Sequence, residues 1–186
     1  MPNVQELAAP VKLVLMDVDG VLTDGRLYSV PDVAGNMVET KAFDSQDGIA
    51  LQWLGWTGIK TGLIRGRISP ATVERAKQTR FTYVFQGHIE KIPILDEILA
   101  DSGLDKSQLA YIGDDMTDIV VMHRVGLAIA TANARAEVKK EAHYVTPHAG
   151  GEGGLRDAVE FILKAQGKWK SMLEEYIGIE NLAVGH

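Results

Sequence analysis

Residues Lys12–Gly25 read KLVLMDVDGVLTDG. One lysine is followed by four apolar residues, and the run stops abruptly at Asp17. No polar residue alternates within it, so a strand here is buried on both faces, as strands of a parallel sheet are. Two carboxylates, Asp17 and Asp19, stand two residues apart at the strand exit. Four other stretches share the pattern: Lys60–Ile64 (KTGLI), Phe81–Phe85 (FTYVF), Leu109–Ile112 (LAYI) and Gly126–Ile129 (GLAI). Helical patterns lie between or after them. Ser69–Thr79 opens on Ser-Pro, a helix-start signal. Ile89–Leu99 sets Ile92, Leu95, Ile98 and Leu99 on one face, and Asp115–Arg124 and Gly154–Gln166 read as two more helices. Strand alternating with helix predicts an α/β protein with a Rossmann-like, doubly wound parallel sheet.

One segment breaks this rhythm. Asp24–Phe43 (DGRLYSVPDVAGNMVETKAF) holds two short strand-like runs around a turn-rich centre, which predicts an inserted β-hairpin. After Gln166 the chain carries Trp169 and Tyr176 among charges, consistent with either a short amphipathic helix or a mobile arm. The chain has 186 residues, enough for one domain and too few for a large second one. The expectation is a single domain with its core over 12–167, the hairpin over 24–43, a tail over 168–186 and no cap domain.

Composition narrows the function classes. A net charge of −6 argues against a nucleic-acid binder. The absence of cysteine excludes disulfides, a thiol nucleophile and zinc thiolates. The N-terminus MPNVQELAAPVK lacks the basic start and apolar core of a signal peptide, and no stretch approaches the ~20 apolar residues of a membrane span. A cytoplasmic protein with no membrane partner is expected.

Ligands of such sheets bind beyond the carboxyl ends of the strands. There the sequence places Asp17 and Asp19, then Arg65-Gly66-Arg67, then Gly87 with Lys91, then Gly113-Asp114-Asp115 with Asp118 three residues on. Each motif alone is ordinary turn or cap chemistry; their joint occurrence at successive strand ends is not. Clustered carboxylates raise one another's pKa, and a divalent cation relieves the conflict. Oxygen donors without Cys favour Mg²⁺. A cation beside a lysine and arginines suits a phosphoryl group. One carboxylate can serve as nucleophile, and a second, two residues on, can donate and accept the proton.

DVDGVLTDG (Asp17–Gly25), Lys91 and GDDMTD (Gly113–Asp118) resemble the motifs of the haloacid dehalogenase superfamily. KAFDSQDG (Lys41–Gly48), Gln86-Gly87 and Gly150–Gly167 resemble its capless sugar-acid phosphatases, across about Lys12 to Gly167. The resemblance implies a Mg²⁺-dependent phosphatase of a small sugar-acid phosphate. Asp17 is then the nucleophile, and Asp19 the general acid/base with its backbone carbonyl on the metal. Asp114 is the third protein ligand, with Asp118 and Asp115 behind it, and Lys91 holds the transferring phosphoryl. Thr23, Asp44, Asp47, Gly48, Arg65, Gly66, Arg67 and Arg75 fall where such enzymes hold substrate. The hairpin, the Gly150–Gly154 segment and the tail would build a homotetramer in which neighbouring subunits complete each active site.

Three positions depart from the family pattern. Arg65 stands where relatives carry a Ser or Thr hydroxyl; it either donates to phosphate or points away, leaving the amides of Gly66 and Arg67. Phe43-Asp44-Ser45-Gln46-Asp47-Gly48 stands where Phe-Asn-x-Arg-Asp-Gly is common, and Gln52 replaces an arginine. Two cations fewer and one acid more weaken the grip on a sugar carboxylate. Arg65 also motivates a rival reading, a non-catalytic assembly module. His88, near Lys91, and His143 and His148 are read as surface or structural residues, and Trp53, Trp56 and Trp169 as core or interface.

Overall fold

The computed structural model describes residues 3–183. Its strands in chain order are β1 (Leu13–Met16), β2 (Tyr28–Pro31), β3 (Met37–Thr40), β4 (Lys60–Arg65), β5 (Tyr83–Gln86), β6 (Leu109–Gly113), β7 (Leu127–Ala130) and β8 (Tyr144–Val145). Six of them form one sheet in the order β5-β4-β1-β6-β7-β8, and every pairing in it is parallel. Leu13–Met16 is the central strand, in register with Lys60–Leu63 on one side and Leu109–Ile112 on the other. The chain leaves β1 for β4 and β5, then returns to β6 on β1's other side. The strand order reverses at β1, so the exits of β1, β4 and β6 share one crevice.

The helices are α1 (Val4–Ala8), α2 (Ser45–Trp56), α3 (Pro70–Gln78), α4 (Lys91–Ser102), α5 (Met116–Met122), α6 (Ala136–Glu141), α7 (Gly154–Ala165) and α8 (Trp169–Ala183). They cover both faces of the sheet, which explains the unbroken apolar runs. Val14 and Met16 join the cluster that holds Leu51, Leu54, Val159 and Ile162 from α2 and α7. Leu13 and Leu15 point the other way, to Ile94, Leu95, Ile98 and Val121 from α4 and α5. With period-2 geometry and two apolar layers, every position of β1 must be apolar.

The structure moves some expected boundaries. The strand expected at Phe81–Phe85 is Tyr83–Gln86, because Arg80 takes a left-handed φ of 57° to close α3. The expected Asp115–Arg124 helix is Met116–Met122, with Asp115 as its N-cap. Helix α2 was not anticipated. Ile49 and Trp56 interrupt its exposed polar face while Trp53 is buried, so no single stripe announces it. The Asp44–Asp47 stretch, placed among the substrate positions, is the cap and first turn of this helix; the Asp44 carboxylate accepts from the amides of Gln46 and Asp47.

The tail folds as α8 and docks. Trp53 meets Trp169 and Tyr176 edge-on, at centroid distances of 5.5 and 6.3 Å, and Trp53 Nε1 donates to the Tyr176 hydroxyl at 2.7 Å. The hairpin is also present. Tyr28 to Pro31 pair antiparallel with Thr40 to Met37, and Asp32 closes the turn by accepting from the amides of Ala34 and Asn36. This ribbon shares no ladder with the main sheet. Among the described residues, no helix is long and apolar enough to cross a membrane.

Candidate active site

Asp17 leaves β1, Asp114 follows β6, and Asp118 sits in the first turns of α5. One carboxylate oxygen from each lies within 4.8 Å of the other two. Gly20 makes this approach possible. Its φ is +83°, and a Cβ there would lie 2.0 Å from Asp114 Oδ2. The turn after β1 is tied down around it. Thr131 Oγ1 and Asn133 Nδ2 donate to the Gly20 carbonyl at 3.1 and 3.0 Å. Thr23, buried, donates to the Val18 carbonyl and accepts from the Gly25 amide, so its hydroxyl braces the turn.

The cluster carries more negative charge than its surroundings balance. Burial, then Asp118, Asp17 and Asp115, push Asp114 up to about 8. Asp114 Oδ1 is buried with no hydrogen-bond partner. Burial pushes Asp17 up to about 6 against the pull of Lys91, with Asp118 adding to the rise. An all-oxygen donor set with an orphaned oxygen fits a hard divalent cation. Asp118 is differently placed. Its Oδ2 accepts from the amides of Asp114 and Asp115 at 2.9 and 3.1 Å, and its Oδ1 from Lys91 and the Tyr111 hydroxyl, both at 2.7 Å. With both oxygens doubly engaged, Asp118 orients the loop and the lysine. Asp115 caps α5, accepting from the Met116 amide.

Lys91 opens α4 and is buried. Its Nζ lies 2.7 Å from Asp118 Oδ1, 3.0 Å from the Tyr111 hydroxyl and 3.2 Å from Asp17 Oδ2. Burial works against its charge, but Asp118 and Asp17 outweigh it and raise the pKa. The ammonium is therefore kept, against the oxygen of the expected nucleophile. Tyr111 was missed in the sequence; within the apolar run LAYI it reads as core. Its fully buried phenol is pushed well up, by burial first and the carboxylates second, so it stays a neutral donor.

A second ion cluster forms beside the first. Arg65 is 1% exposed. Its guanidinium turns into the site, not away from it: Nε and Nη2 donate to Asp19 Oδ2 at 3.0 and 2.8 Å. Lys41 Nζ takes Asp19 Oδ1. Glu39, on the hairpin, lies 3.3 Å from both Arg65 Nη2 and Lys41 Nζ, and its other oxygen accepts from Arg67 at 2.7 Å. Burial disfavours the Asp19 charge, but the hydrogen bonds from Lys41 and Arg65 prevail and hold its carboxyl below the usual range. Lys41 and Glu39 are the other residues the sequence reading missed. Their charges gave no sign of partners more than twenty positions away.

The remaining expected substrate residues have structural partners. Asp44 caps α2, as above. Asp47 Oδ1 accepts from the Arg156 amide at 2.8 Å, serving α7, whose own cap Gly153 has no side chain. Burial pushes Asp47 up to about 6. Arg75 Nη2 donates to the Asp44 carbonyl at 2.9 Å and stands 5.5 Å over the Phe43 ring. A Cβ at Gly48 would lie 2.4 Å from that nitrogen, so Gly48 makes room for Arg75. Gly66 faces Ile89 and the His88 carbonyl, and the His88 ring packs edge-on against Phe85. Of the expected set, the structure brings Asp17, Lys91, Asp114 and Asp118 together directly, and Asp19 with Arg65.

A doubly wound sheet with carboxylates at two central strand exits and a buried lysine opening α4 defines a hydrolase of the haloacid dehalogenase type. The chain belongs to the haloacid dehalogenase-like hydrolase family, whose model matches residues 63–158. It is similar to the 3-deoxy-D-manno-octulosonate 8-phosphate phosphatase KdsC of Yersinia pestis, at 38% identity over 167 residues, 89% of this chain and 87% of that relative. Among solved structures it is similar to a probable YrbI family phosphatase from Pseudomonas syringae, with TM-score 0.89, 40% identity, and 94% of this chain and 97% of that one covered. It is also similar to the 3-deoxy-D-manno-octulosonate 8-phosphate phosphatase of Moraxella catarrhalis, solved with magnesium, phosphate and KDO, with TM-score 0.88, 35% identity, and 95% and 99% covered. The chain is a phosphoric monoester hydrolase acting through this fold, which sets aside the non-catalytic reading.

Proposed function

We propose that this chain hydrolyses 3-deoxy-D-manno-octulosonate 8-phosphate to KDO and inorganic phosphate, with Mg²⁺ as its cofactor. The observation that carries the reading is the carboxylate cluster itself: Asp17 beside a retained Lys91 ammonium, with the orphaned Asp114 Oδ1 facing a charge excess. The names of the relatives supply the substrate. Asp17, Asp114 and the Asp19 carbonyl would hold the cation, which when bound neutralises charge on the phosphoryl oxygens. Asp17 attacks phosphorus and becomes the aspartyl-phosphate as the phosphorus–oxygen bond to the sugar breaks, while Asp19 delivers a proton to the departing sugar oxygen. Asp19 then takes a proton from water as it cleaves the acyl phosphate, restoring both residues. Lys91 stands where it contacts the transferring group.

The hairpin supports a homotetramer as the working form. A two-stranded ribbon is marginal alone, and this one exposes Leu27, Val30, Val33, Met37 and Val38. Such a patch marks an interaction site. Packing against other copies would cover it and close the sites against water. A monomer with full activity would contradict this.

A panel of sugar phosphates at fixed Mg²⁺, read by phosphate release, tests the substrate. KDO 8-phosphate is expected to be turned over fastest. A sialate-type 9-phosphate as the best substrate would replace the reading; relatives of that kind tend to place Glu in the tripeptide that is Arg65-Gly66-Arg67 here.

A further inference from the structure

Helices α2 and α3 both pack into the cluster under Val14 and Met16, and a groove of about 670 Å³ runs between their carboxyl ends. That volume falls within the roughly 300–1,000 Å³ of small-molecule sites. Gln52 and Trp56 come from α2, Lys60 opens β4, Gln78 ends α3, Arg80 follows it and Thr82 precedes β5. The groove lies at the far end of β4 from Arg65, roughly 16 Å away at about 3.3 Å per residue, so the hydrolytic reaction makes no use of it. No carboxylate lines it. Among the described residues, neither Lys60 nor Arg80 has an ion-pair partner. Trp56 is 54% exposed, and Tyr176 at 5.7 Å supports its ring.

We infer that this groove is a second ligand site, which takes a small sugar acid through one carboxylate and several hydroxyls. Lys60 and Arg80 supply charge-assisted donors for the carboxylate. The side chains of Gln52, Gln78 and Thr82 both donate and accept, as sugar hydroxyls require. The face of Trp56 suits the C–H face of a pyranose ring, the apolar surface of an otherwise polar molecule. The helix ends argue against phosphate. Both α2 and α3 present their carboxyl termini here, where backbone carbonyls carry partial negative charge; phosphate sites use the opposite, amino ends. Carbonyls left over at a helix end accept hydroxyl protons instead. A polyol with a single negative charge therefore satisfies the groove better than a compact dianion. Binding here does not depend on which ester is hydrolysed at the other end of the strand.

The chain has three tryptophans, and they report separately: Trp56 lines the groove, Trp53 is buried and Trp169 packs on Trp53. The full-length protein is labelled with fluorotryptophan and titrated, with Mg²⁺ present, with D-glucuronate, D-glucose or inorganic phosphate while fluorine NMR spectra are recorded. Trp56→Phe assigns the Trp56 resonance. Glucuronate is expected to shift that resonance saturably and to leave the other two in place, whereas glucose and phosphate at the same concentration should not move it. Lys60→Gln combined with Arg80→Asn should weaken half-saturation roughly tenfold or more, since both charged donors are lost. Asn tolerates the left-handed φ of 57° that Arg80 adopts, and an unchanged thermal melt shows that the double variant is folded. Should it melt early, either single substitution carries the comparison. A Trp56 resonance that ignores glucuronate, a glucose or phosphate shift as large as the glucuronate shift, movement of all three resonances together, or a double variant that binds as tightly as wild type would each overturn the site. These readouts need no turnover. An enzyme that fails to hydrolyse KDO 8-phosphate takes down the functional reading and leaves the groove standing.

Discussion

Two ion clusters sit side by side at the strand exits, and they are built on opposite terms. Around Asp17, Asp114 and Asp118, three carboxylates face one cation, Lys91. Around Asp19, two carboxylates face three cations, Arg65, Lys41 and Arg67. The first cluster shows its deficit in the raised Asp17 and Asp114 and in an oxygen with no partner. The second shows its completeness in the lowered Asp19 and Glu39. A group left unsatisfied inside a folded protein marks a place where something else binds; a satisfied network holds a geometry. One half of the site has the charge and donor set that suit a cation and a phosphoryl group, and the other half holds a carboxylate between cations.

Removing a charge should therefore act oppositely in the two clusters. The largest effect is expected from Asp17→Asn. It should lower turnover on the order of 10⁴–10⁶-fold, as loss of a covalent nucleophile does, while the unfolding midpoint of the metal-free protein holds or rises. Normal turnover would remove the nucleophile assignment, and a collapse in stability would break the comparison.

Metal removal comes next. EDTA should silence the enzyme and Mg²⁺ restore it, with about 2.7 kcal/mol of added stability at a hundredfold excess over Kd. The gain should grow with pH. Asp17 and Asp114, at about 6 and about 8, lie above the ordinary 3.8, so the metal-free native state holds protons that the unfolded chain has released. Its stability is full below the ordinary value and is lost as pH rises through 6 and then 8. Thermal melts with and without Mg²⁺ across that window check this; a metal-induced shift that shrinks as pH rises would contradict it.

In the second cluster, Glu39→Ala should cost roughly 1–3 kcal/mol of stability, since it leaves buried cations short of a partner while the site is partly hydrated. Denaturant unfolding measures it, and a gain in stability would erase the contrast with Asp17→Asn. The smallest effect is expected at Asp47, a buried acid outside both clusters. Asp47→Ala should cost about 1 kcal/mol as a lost helix cap. Asp47→Asn keeps the acceptor for the Arg156 amide and sheds a disfavoured charge, so it should match or exceed wild type above pH 6. Urea unfolding of the pair at neutral pH decides it.

Much of the first cluster was legible in the sequence. Asp17 and Asp114 each follow a strand that announces itself as a mainly apolar run, Lys91 opens the helix after another strand, and the fold class brings strand exits together. Little of the second was. Lys41 and Asp19 are 22 positions apart, and Arg65 and Glu39 are 26 apart on elements that share no ladder. Helix α2 was hidden because Ile49 and Trp56 interrupt its exposed polar face and blur its apolar stripe, and the Tyr111 hydroxyl because its neighbours are core residues.

By itself the sequence determined the parallel sheet, its doubly wound order and which residues arrive at the crevice, because burial on two faces and chain order are local, one-dimensional facts. Which charge meets which was decided only by the tertiary structure. A carboxylate in a sequence has a sign and no partner. Its partner is whatever group the packing of distant elements brings within about 3 Å in a medium of low dielectric, and that distance made Asp114 a candidate ligand, Asp47 a helix cap and Asp19 a carboxylate held between two cations.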